Sequence, residues 1–273
     1  MPELPEIETI RRGLIPLLTG RRVVGVEVRE RRLRVPVAER SLLRLRGAKV
    51  TGIRRRSKYL LLNTDAGLTL LLHLGMTGQL WVCDAGRDRR PHEHIVFRLD
   101  DGRELRFADS RRFGFIDLVP DARLARHPRL RDLGPEPLED AFTGERLYRV
   151  TRGRRKPVKN FLMDTRSVAG IGNIYACEAL FRAGINPRRP VRRIGPSGWN
   201  RVVEAVRAVL TEAIRAGGTT LRDFLNAEGD AGYFAVALRV YDRSGKPCGG
   251  CEGRIRRIVQ AGRSTFYCPR CQR

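Results

Sequence analysis

The sequence predicts an α+β fold, with an N-terminal helix and an antiparallel β-sandwich, then a helical domain and a C-terminal zinc-ribbon finger. Two observations indicate this class. Apolar residues form short strand-like runs over about 22 to 119 and recur at helical spacing beyond them. The chain ends in two C-x2-C pairs separated by sixteen residues, a spacing typical of zinc sites. With 273 residues the chain is long enough for two domains and the finger.

The first element is a helix over residues 3 to 18. Ile7, Ile10, Leu14 and Leu18 recur at spacings of three and four residues, as on one buried helix face. Gly20 ends the segment, as glycine often does after a helix.

The next region predicts short strands. Tight turns such as Asp101-Gly102 separate runs rich in branched and aromatic residues, which favours an antiparallel sandwich or barrel. The runs are VVGVEV, AKVTGI, YLLLNT, LTLLLHL, QLWVCD, HIVFRL and ELRFAD.

Gly134, Pro135 and Pro137 predict a domain boundary, and a helical region follows it. Apolar spacing predicts helices over 143–150, 155–164, 173–183, 198–216 and 219–226.

The C-terminal segment predicts a metal-pinned hairpin. Ile255, Ile258 and Val259 form one apolar run, and Thr265 to Tyr267 form the other, with Gly262 between them. So small a ribbon needs metal to hold its fold. Two disulfides are the alternative, but they need an oxidising compartment, which nothing in the chain indicates. The predicted ligands of one structural zinc ion are Cys248, Cys251, Cys268 and Cys271.

The charge balance favours a polyanionic partner. The net charge is +24, so DNA or RNA is expected before a membrane surface. No apolar stretch approaches the length of a membrane span, and the N-terminus has no signal-peptide pattern, so a cytoplasmic protein is expected. Only five of the 54 basic residues are lysines, and arginine cannot replace an amine that must lose its proton.

The N-terminus offers a nucleophile. Removal of the initiator Met leaves Pro2 with a secondary amine, which can form an iminium ion with an aldehyde carbon. Glu3 and Glu6 lie beside it and can move protons. The alternative is an ordinary helix start, where proline and glutamate are both common.

Nine sequence blocks in order resemble the bacterial formamidopyrimidine-DNA glycosylase family, which removes oxidised purines from DNA. The resemblance covers essentially the whole chain. The blocks are PELPEIET, KYLLL, HLGMTG, DSRRFG, LGPEPL, GIGNIYACEALF, GGTTLRDF, GYF and FYCPRCQ.

The resemblance implies a reaction at the sugar. Pro2 is expected to attack C1′ of the damaged nucleotide and to leave a Schiff base with the opened sugar, after which β- and δ-elimination cut the strand. Glu3 is the expected acid, and Glu6 supports the site. Lys58 is expected near the reaction, and Arg263 at the hairpin tip is expected to contact the lesion-side phosphate and to assist δ-elimination.

The resemblance also implies DNA contacts. Met76, Arg111 and Phe113 are expected to fill the hole that a flipped base leaves. The family often has Pro where this chain has Ser110, which still permits a turn. The expected contacts to the DNA backbone come from His92, Arg154, Lys159, Asn173 and Tyr241.

The implied organisation has three parts. These are a catalytic β-sandwich domain (1–132), a helix–two-turn–helix DNA-binding domain (133–237) and the zinc finger (238–273), with a DNA-binding cleft between two domains. Residues 219–234 are expected to close over the flipped purine. The expected protein is a monomeric, nucleoid-associated glycosylase and AP lyase for 8-oxoguanine and formamidopyrimidines. It needs structural zinc and no catalytic cofactor.

Two other functions compete with this interpretation. One is a relative resembling endonuclease VIII, which prefers oxidised pyrimidines; PELPE, the RRFG block and the long GGTTLRDF to GYF segment favour the purine enzyme. The other is a zinc-ribbon protein that binds damaged DNA without catalysis. Pro2, Glu3 and Lys58 argue against it, because binding alone does not need an N-terminal secondary amine.

Overall fold

The computed structural model of the chain describes residues 2–217 and 238–273. The helix predicted over 219–226, and the segment expected to close over the purine, lie outside these residues. The described chain divides into two compact units, one of residues 2–131 with Gly217 and one of residues 132–216 and 238–273. The finger thus shares a unit with the helical residues, and its division from them at residue 238 stays a prediction.

The first unit is a helix followed by a β-sandwich. A short 3-10 turn, Leu43–Leu45, follows its second helix. Its elements in chain order are α1 (Leu4–Leu18), β1 (Val23–Val28), α2 (Glu39–Leu42), β2 (Val50–Arg56), β3 (Tyr59–Thr64), β4 (Leu68–His73), β5 (Gly78–Asp84), β6 (Glu93–Leu99), β7 (Arg103–Asp109), β8 (Phe115–Pro120) and α3 (Asp121–Leu124).

Two antiparallel four-stranded sheets form the sandwich, in the orders β1-β6-β7-β5 and β2-β3-β4-β8. Of the two predicted architectures, the first unit therefore has the sandwich and not the barrel. Ile7, Ile10 and Leu14 of α1 belong to the same apolar cluster as strand residues from both sheets, which confirms the buried helix face. The last strand, β8, was not among the predicted runs, because Pro120 and Asp117 interrupt its apolar character.

The second unit contains four helices, a 3-10 turn and a hairpin among its described residues. They are α4 (Gly144–Thr151), α5 (Val158–Leu162), α6 (Asn173–Arg182), the turn Val191–Arg193, α7 (Pro196–Arg215), β9 (Arg256–Gln260) and β10 (Arg263–Tyr267). Helix α5 is shorter than predicted because Pro157 occupies its N-cap position. Proline has no backbone N–H and restricts the residue before it, so the helix cannot extend back through it.

The two hairpin strands pair where the sequence predicts them, but the first apolar run packs differently. Arg263 lies opposite Gln260, and Ala261 and Gly262 make the turn with φ of 45° and 71°. Ile255 is buried but precedes the strand, whereas Val259 is 65% exposed. The predicted apolar run therefore does not pack as one face, because neighbouring strand residues point to opposite sides.

Within the described ranges, no helix is both long enough and apolar enough to cross a bilayer.

Candidate functional site

The start of α1 fixes two carboxylates beside Pro2. Pro2 is buried, Glu3 is 3% exposed and Glu6 is fully buried. Glu6 Oε2 accepts a hydrogen bond from the Glu3 backbone nitrogen at 2.8 Å, and the Glu3 side chain completes a reciprocal capping box. The helix start itself therefore holds a carboxylate next to the residue predicted to carry the reactive amine, an arrangement that suits proton transfer.

Lys58 lies in the turn between β2 and β3 and is 7% exposed. The preceding residue, Ser57, has a φ of 54°, which is strained for a non-glycine residue. The guanidinium of Arg55 donates to the Ser57 carbonyl at 3.0 Å and pairs with Glu8 at 3.2 Å. This chain of contacts fixes the turn that presents Lys58.

Glu8 anchors that chain of contacts and was not predicted as a site residue. Burial alone would raise its pKa, but hydrogen bonds from Arg11 and Arg12 and the charge of Arg55 lower the pKa to about 2. The carboxylate is 8% exposed and stays ionised in the folded protein at neutral pH. Its signal in the sequence, an acid spaced three and four residues before arginines on α1, is common to many solvated helices.

His73 at the end of β4 is neutral. Burial lowers its pKa to about 4, and the positive charges of Lys58, Arg34 and Arg129 act in the same direction. The ring packs 4.9 Å from Tyr59, and its Nδ1 accepts a hydrogen bond from the Gly75 nitrogen at 2.9 Å. An accepting Nδ1 carries no proton, which agrees with the lowered pKa.

The three residues predicted to fill the hole in the duplex are all exposed in the first unit. Met76 and Phe113 are 40% and 41% exposed, so both apolar side chains are accessible to a partner. The Arg111 guanidinium lies 4.7 Å from the centre of the Phe113 ring. Gly75 approaches the Phe113 backbone so closely that a Cβ would lie 2.6 Å from its carbonyl carbon. The two loops are therefore packed together at their bases.

His92 and His94 occupy different environments. His92 is exposed with a φ of 65°, whereas His94 is buried and its Nε2 lies 2.7 Å from the Asp109 carbonyl oxygen. His92 is therefore accessible to a phosphate, and His94 supports the loop that follows β7. Neither belongs to a metal-binding group within the described residues.

Asn173 is the first residue of α6, and Gly172 takes the N-cap position. The Asn173 amide donates to the Ser264 carbonyl at 2.9 Å, which ties the helix start to the hairpin. Its Oδ1 is buried and has no hydrogen-bond partner within the described part of the chain. The positive end of a helix dipole suits a phosphate, so a phosphate contact at the start of α6 stays a prediction.

Lys159 is buried against the hairpin. Its side chain is fully buried, and its ammonium donates to Thr265 Oγ1 at 2.6 Å and to the Ser264 carbonyl at 3.4 Å. The ammonium therefore holds the hairpin, which favours a structural role for Lys159 over the predicted phosphate contact. The basic run suggested a solvated face, but α5 turns this residue inward. Arg154 of the same run is exposed.

The four predicted zinc ligands come together. Their sulfur atoms all lie within 4.8 Å of one another, with Cys248 to Cys271 at 3.8 Å and Cys251 to Cys268 at 3.5 Å. Zn–S bonds of about 2.3 Å in a tetrahedron place sulfurs roughly 3.8 Å apart, so the cage fits zinc. Backbone nitrogens of Gly250 and Gly253 donate to Cys248 and Cys251 at 3.4 and 3.3 Å, which orients these sulfurs.

The hairpin presents Arg263 at its tip, where the side chain is exposed. Ser264, the next residue, is held by Asn173 and Lys159 through its carbonyl. Tyr241 is half-buried, with its ring 5.1 Å from Phe266 in an edge-on contact. Both predicted DNA-contact residues thus lie on the metal-pinned part of the second unit.

Glu178 on α6 is a further residue that the sequence analysis missed. Its carboxylate, 6% exposed, accepts hydrogen bonds from the backbone nitrogens of Arg239, Val240 and Tyr241 at 2.9, 2.9 and 2.8 Å. It therefore anchors the segment that carries Tyr241. The signal available was an acid within the otherwise apolar run IYACEALF, which points to a buried and paired carboxylate.

Known families match three stretches of the chain. The formamidopyrimidine-DNA glycosylase N-terminal domain matches residues 1–116, the formamidopyrimidine-DNA glycosylase H2TH domain matches residues 133–225, and the zinc finger found in FPG and IleRS matches residues 245–273.

Whole proteins match over their full length. Formamidopyrimidine-DNA glycosylases of Alkalilimnicola ehrlichii and Methylococcus capsulatus are 53% and 50% identical, each covering 100% of both chains. Among solved structures, Lactococcus lactis Fpg in complex with DNA containing an abasic site has a TM-score of 0.91 at 30% identity, with 100% of both chains covered. The MutM (FPG) protein of Thermus thermophilus has a TM-score of 0.87 at 40% identity, covering 99% of this chain and 98% of that one. The chain therefore belongs to the formamidopyrimidine-DNA glycosylase family.

Proposed function

We propose that this protein is a DNA glycosylase and AP lyase that excises oxidised purines, 8-oxoguanine and formamidopyrimidines, through the amine of Pro2. The observation that carries the proposal is the capping box at the start of α1. It fixes the nearly buried Glu3 beside Pro2 in a chain that belongs to a family of such glycosylases.

The reaction follows from an amine and an acid. After removal of Met1, the Pro2 nitrogen attacks C1′ and loses its proton, while the bond from C1′ to the base breaks and the base leaves with the electron pair and a proton. Protonation of the ring oxygen by Glu3 opens the sugar and leaves an iminium ion at C1′. The iminium ion acidifies the neighbouring hydrogens, so loss of a C2′ proton expels the 3′ phosphate. A second elimination then expels the 5′ phosphate.

Other predicted residues contact the DNA around the reacting sugar. Met76 and Phe113 are exposed and apolar and suit insertion into the base stack, with Arg111 able to pair with the orphaned base. His92, Arg154 and Arg263 are exposed and suit phosphate contacts, as does the α6 N-terminus at Asn173. The zinc ion, held by the four cysteines, stabilises the hairpin that carries Arg263. The proposed protein acts as a monomer on chromosomal DNA at the nucleoid.

Borohydride trapping tests the proposal. The protein is incubated with a duplex containing 8-oxoguanine opposite cytosine, reduced, digested and mapped for the cross-linked peptide. A cross-link at Pro2 is expected, and it also shows that Met1 is removed. A matched protein with an uncleaved N-terminal extension keeps every side chain but lacks the secondary amine, and it should give no cross-link.

Two results contradict the proposal. Trapping only on a parallel duplex with an oxidised pyrimidine indicates the endonuclease VIII-like activity. Tight binding of the damaged duplex without a cross-link or strand cleavage indicates a non-catalytic binder.

A further inference from the structure

Two basic segments of the second unit pair with each other. Residues 154–158 and 186–193 run antiparallel, with Val158 N donating to the Arg189 carbonyl at 2.9 Å, Val191 N to Lys156 at 3.0 Å and Arg192 N to Arg154 at 3.2 Å. We call this pair of segments the basic ribbon. Backbone bonds hold it, so its arginine side chains remain available for other contacts.

The charges of the basic ribbon are concentrated and uncompensated. Arg188, Arg192 and Arg193 are exposed and Arg189 is half-buried. None of these four forms an ion pair with a carboxylate anywhere in residues 2–217 or 238–273. The sequence contains no Asp or Glu between Glu178 and Glu204. By contrast, Lys156 is paired, with its ammonium 2.6 Å from Asp164.

The sheets and α1 of the first unit differ from the basic ribbon in how their arginines are paired. Most of its arginines on the sheets and on α1 are matched with acids, as in the buried pair of Arg106 with Glu93 at 3.3 Å and the more exposed Arg103 with Asp101 at 2.6 Å. Abundant arginine therefore does not by itself leave arginines unpaired. Four unpaired guanidinium groups within six residues repel one another, and a bound polyanion relieves that repulsion.

The basic ribbon also has a suitable shape and position. An open depression of about 490 Å³ is lined by Asn186, Arg188, Arg189, Pro190, Arg193 and Arg273. The ribbon adjoins the hairpin, since Gln260 Nε2 donates to the Pro187 carbonyl at 3.2 Å. The hairpin carries Arg263 at its tip. The basic ribbon is thus continuous, within one compact unit, with a surface that already presents a predicted phosphate contact.

We infer that the segment 186–193 of the basic ribbon is a second binding surface for the phosphate backbone of duplex DNA, in addition to the phosphate contacts proposed above. The inference rests on the proposed function for the identity of the polyanion. Four arginines spaced along the segment 186–193 suit successive phosphates, whereas the depression is open and has no buried charged side chain to select a small anion. Its role is sequence-independent affinity, which keeps the protein on undamaged DNA during the search for a lesion.

Salt-dependent binding of an undamaged 30-base-pair duplex tests the inference. The variant changes Arg188, Arg189, Arg192 and Arg193 to serine. We expect the slope of log affinity against log salt to flatten by about two to four units, because each lost phosphate contact removes about 0.9, and we expect affinity at physiological salt to fall roughly tenfold or more. Changing the same four residues to lysine should restore most of the slope, because the charge returns.

The control removes four exposed arginines of the first unit that have no acidic partner among the described residues, namely Arg40, Arg44, Arg46 and Arg123. It lowers the net charge equally. Equal flattening in both serine variants, or an unchanged slope in the ribbon variant, overturns the inference. Because fourfold replacement can disturb folding, zinc content and melting temperature are measured, and the double variant Arg192→Glu with Arg193→Glu provides a second test with the same expected direction.

Excision separates this inference from the proposed function. Single-turnover excision of 8-oxoguanine at saturating enzyme should be unchanged in the ribbon variant, because the lesion contacts are intact. If the unaltered protein excises nothing but the ribbon variant still loses slope, the proposed function fails and the binding surface stands. If excision at saturation falls together with binding, the ribbon is not a separate surface, and the inference fails.

Discussion

The carboxylate of Asp109 lies 2.6 Å from the backbone nitrogen of Gly114, and this bond closes the loop that carries Arg111 and Phe113. The other oxygen of Asp109 accepts from the Thr77 hydroxyl at 2.5 Å, in the loop that carries Met76. One fully buried side chain therefore ties together the bases of both loops proposed to enter the DNA stack. The same bonds restrain the loop that contains Ser110.

Replacing Asp109 with Asn should uncouple the two loops. The amide places an NH2 donor against a backbone N–H donor, which leaves buried groups unsatisfied and should lower the free energy of unfolding by about 1–3 kcal/mol. Excision of 8-oxoguanine should slow at least roughly tenfold, because flipping the base requires the inserted residues. Cleavage at a preformed abasic site should slow less, because no base needs to be flipped. Single-turnover rates on both substrates measure the difference.

The Thr77→Val variant is the matched control. It removes one donor to Asp109 but leaves the Gly114 bond, so its effect should be smaller than that of Asp109→Asn. Equal slowing on both substrates in Asp109→Asn contradicts a role specific to base flipping.

Glu178→Gln should loosen the segment that carries Tyr241. Three backbone N–H groups donate to this carboxylate, and an amide offers them one neutral oxygen and a competing donor. We expect faster hydrogen exchange at residues 239–241, about 2 kcal/mol lower stability and weaker binding of damaged DNA. Glu212→Gln is the control, since Glu212 forms an exposed pair with Arg182 that should contribute no more than about 1 kcal/mol. Exchange unchanged at residues 239–241 rules out the anchor.

The unfavourable protonation of buried His73 should make the first unit less stable in mild acid. Its folded pKa of about 4 lies below the ordinary value of 6.5, so the unfolded chain binds the proton first as the pH falls. Stability from this group is complete above pH 6.5 and is lost as the pH falls toward 4, by about 2 kcal/mol at pH 5. Glu8 contributes to stability over a different pH range. Its pKa of about 2 lies below the ordinary 4.5, so its contribution is lost only as the pH falls below 4.5.

Urea unfolding at pH 8 and pH 5 measures this loss. Trp81 reports on the first unit when Trp199 is replaced by Phe. His73→Asn keeps an acceptor for the Gly75 nitrogen but cannot titrate, so its stability should change less between the two pH values. An equal change in both proteins assigns the acid sensitivity to other groups.

Loss of zinc should unfold the hairpin. Cys268→Ser removes one thiolate of the cage, and the apolar cluster behind it, which includes Val240, Ile255 and Phe266, is too small to persist alone. We expect zinc content to fall to near zero and DNA affinity to fall with it, as measured by elemental analysis and anisotropy. Cys177→Ala, which changes a buried cysteine of the same cluster outside the cage, should keep its zinc. Full zinc in Cys268→Ser contradicts the site.

The sequence predicted local features, such as helix faces and metal-ligand spacing, better than it predicted which distant side chains contact each other. The apolar spacing of α1 and the cysteine spacing each depend on nearby residues, and both are confirmed. The burial of Lys159 and Glu178 could not be predicted in this way. A buried charged residue has the same local sequence spacing as an exposed one, and its hydrogen-bond partner lies far along the chain. The Lys159 contact to Thr265 spans 106 residues. The pairing of Asp109 with Thr77 could not be predicted for the same reason.

Arg263 and Lys159 should differ in their effect on salt-dependent binding, although both are basic residues of the second unit. Arg263 is exposed at the hairpin tip, so Arg263→Ala should lower the salt slope for lesion DNA by about 0.9, the value for one phosphate contact. Lys159 is buried against Thr265, so Lys159→Gln should lower the melting temperature and leave the slope within error. Arg44→Ala, at an exposed position of the first unit, controls for the loss of one charge. An unchanged slope in Arg263→Ala contradicts a phosphate contact by Arg263. A reduced slope in Lys159→Gln shows that the Lys159 ammonium contacts the DNA.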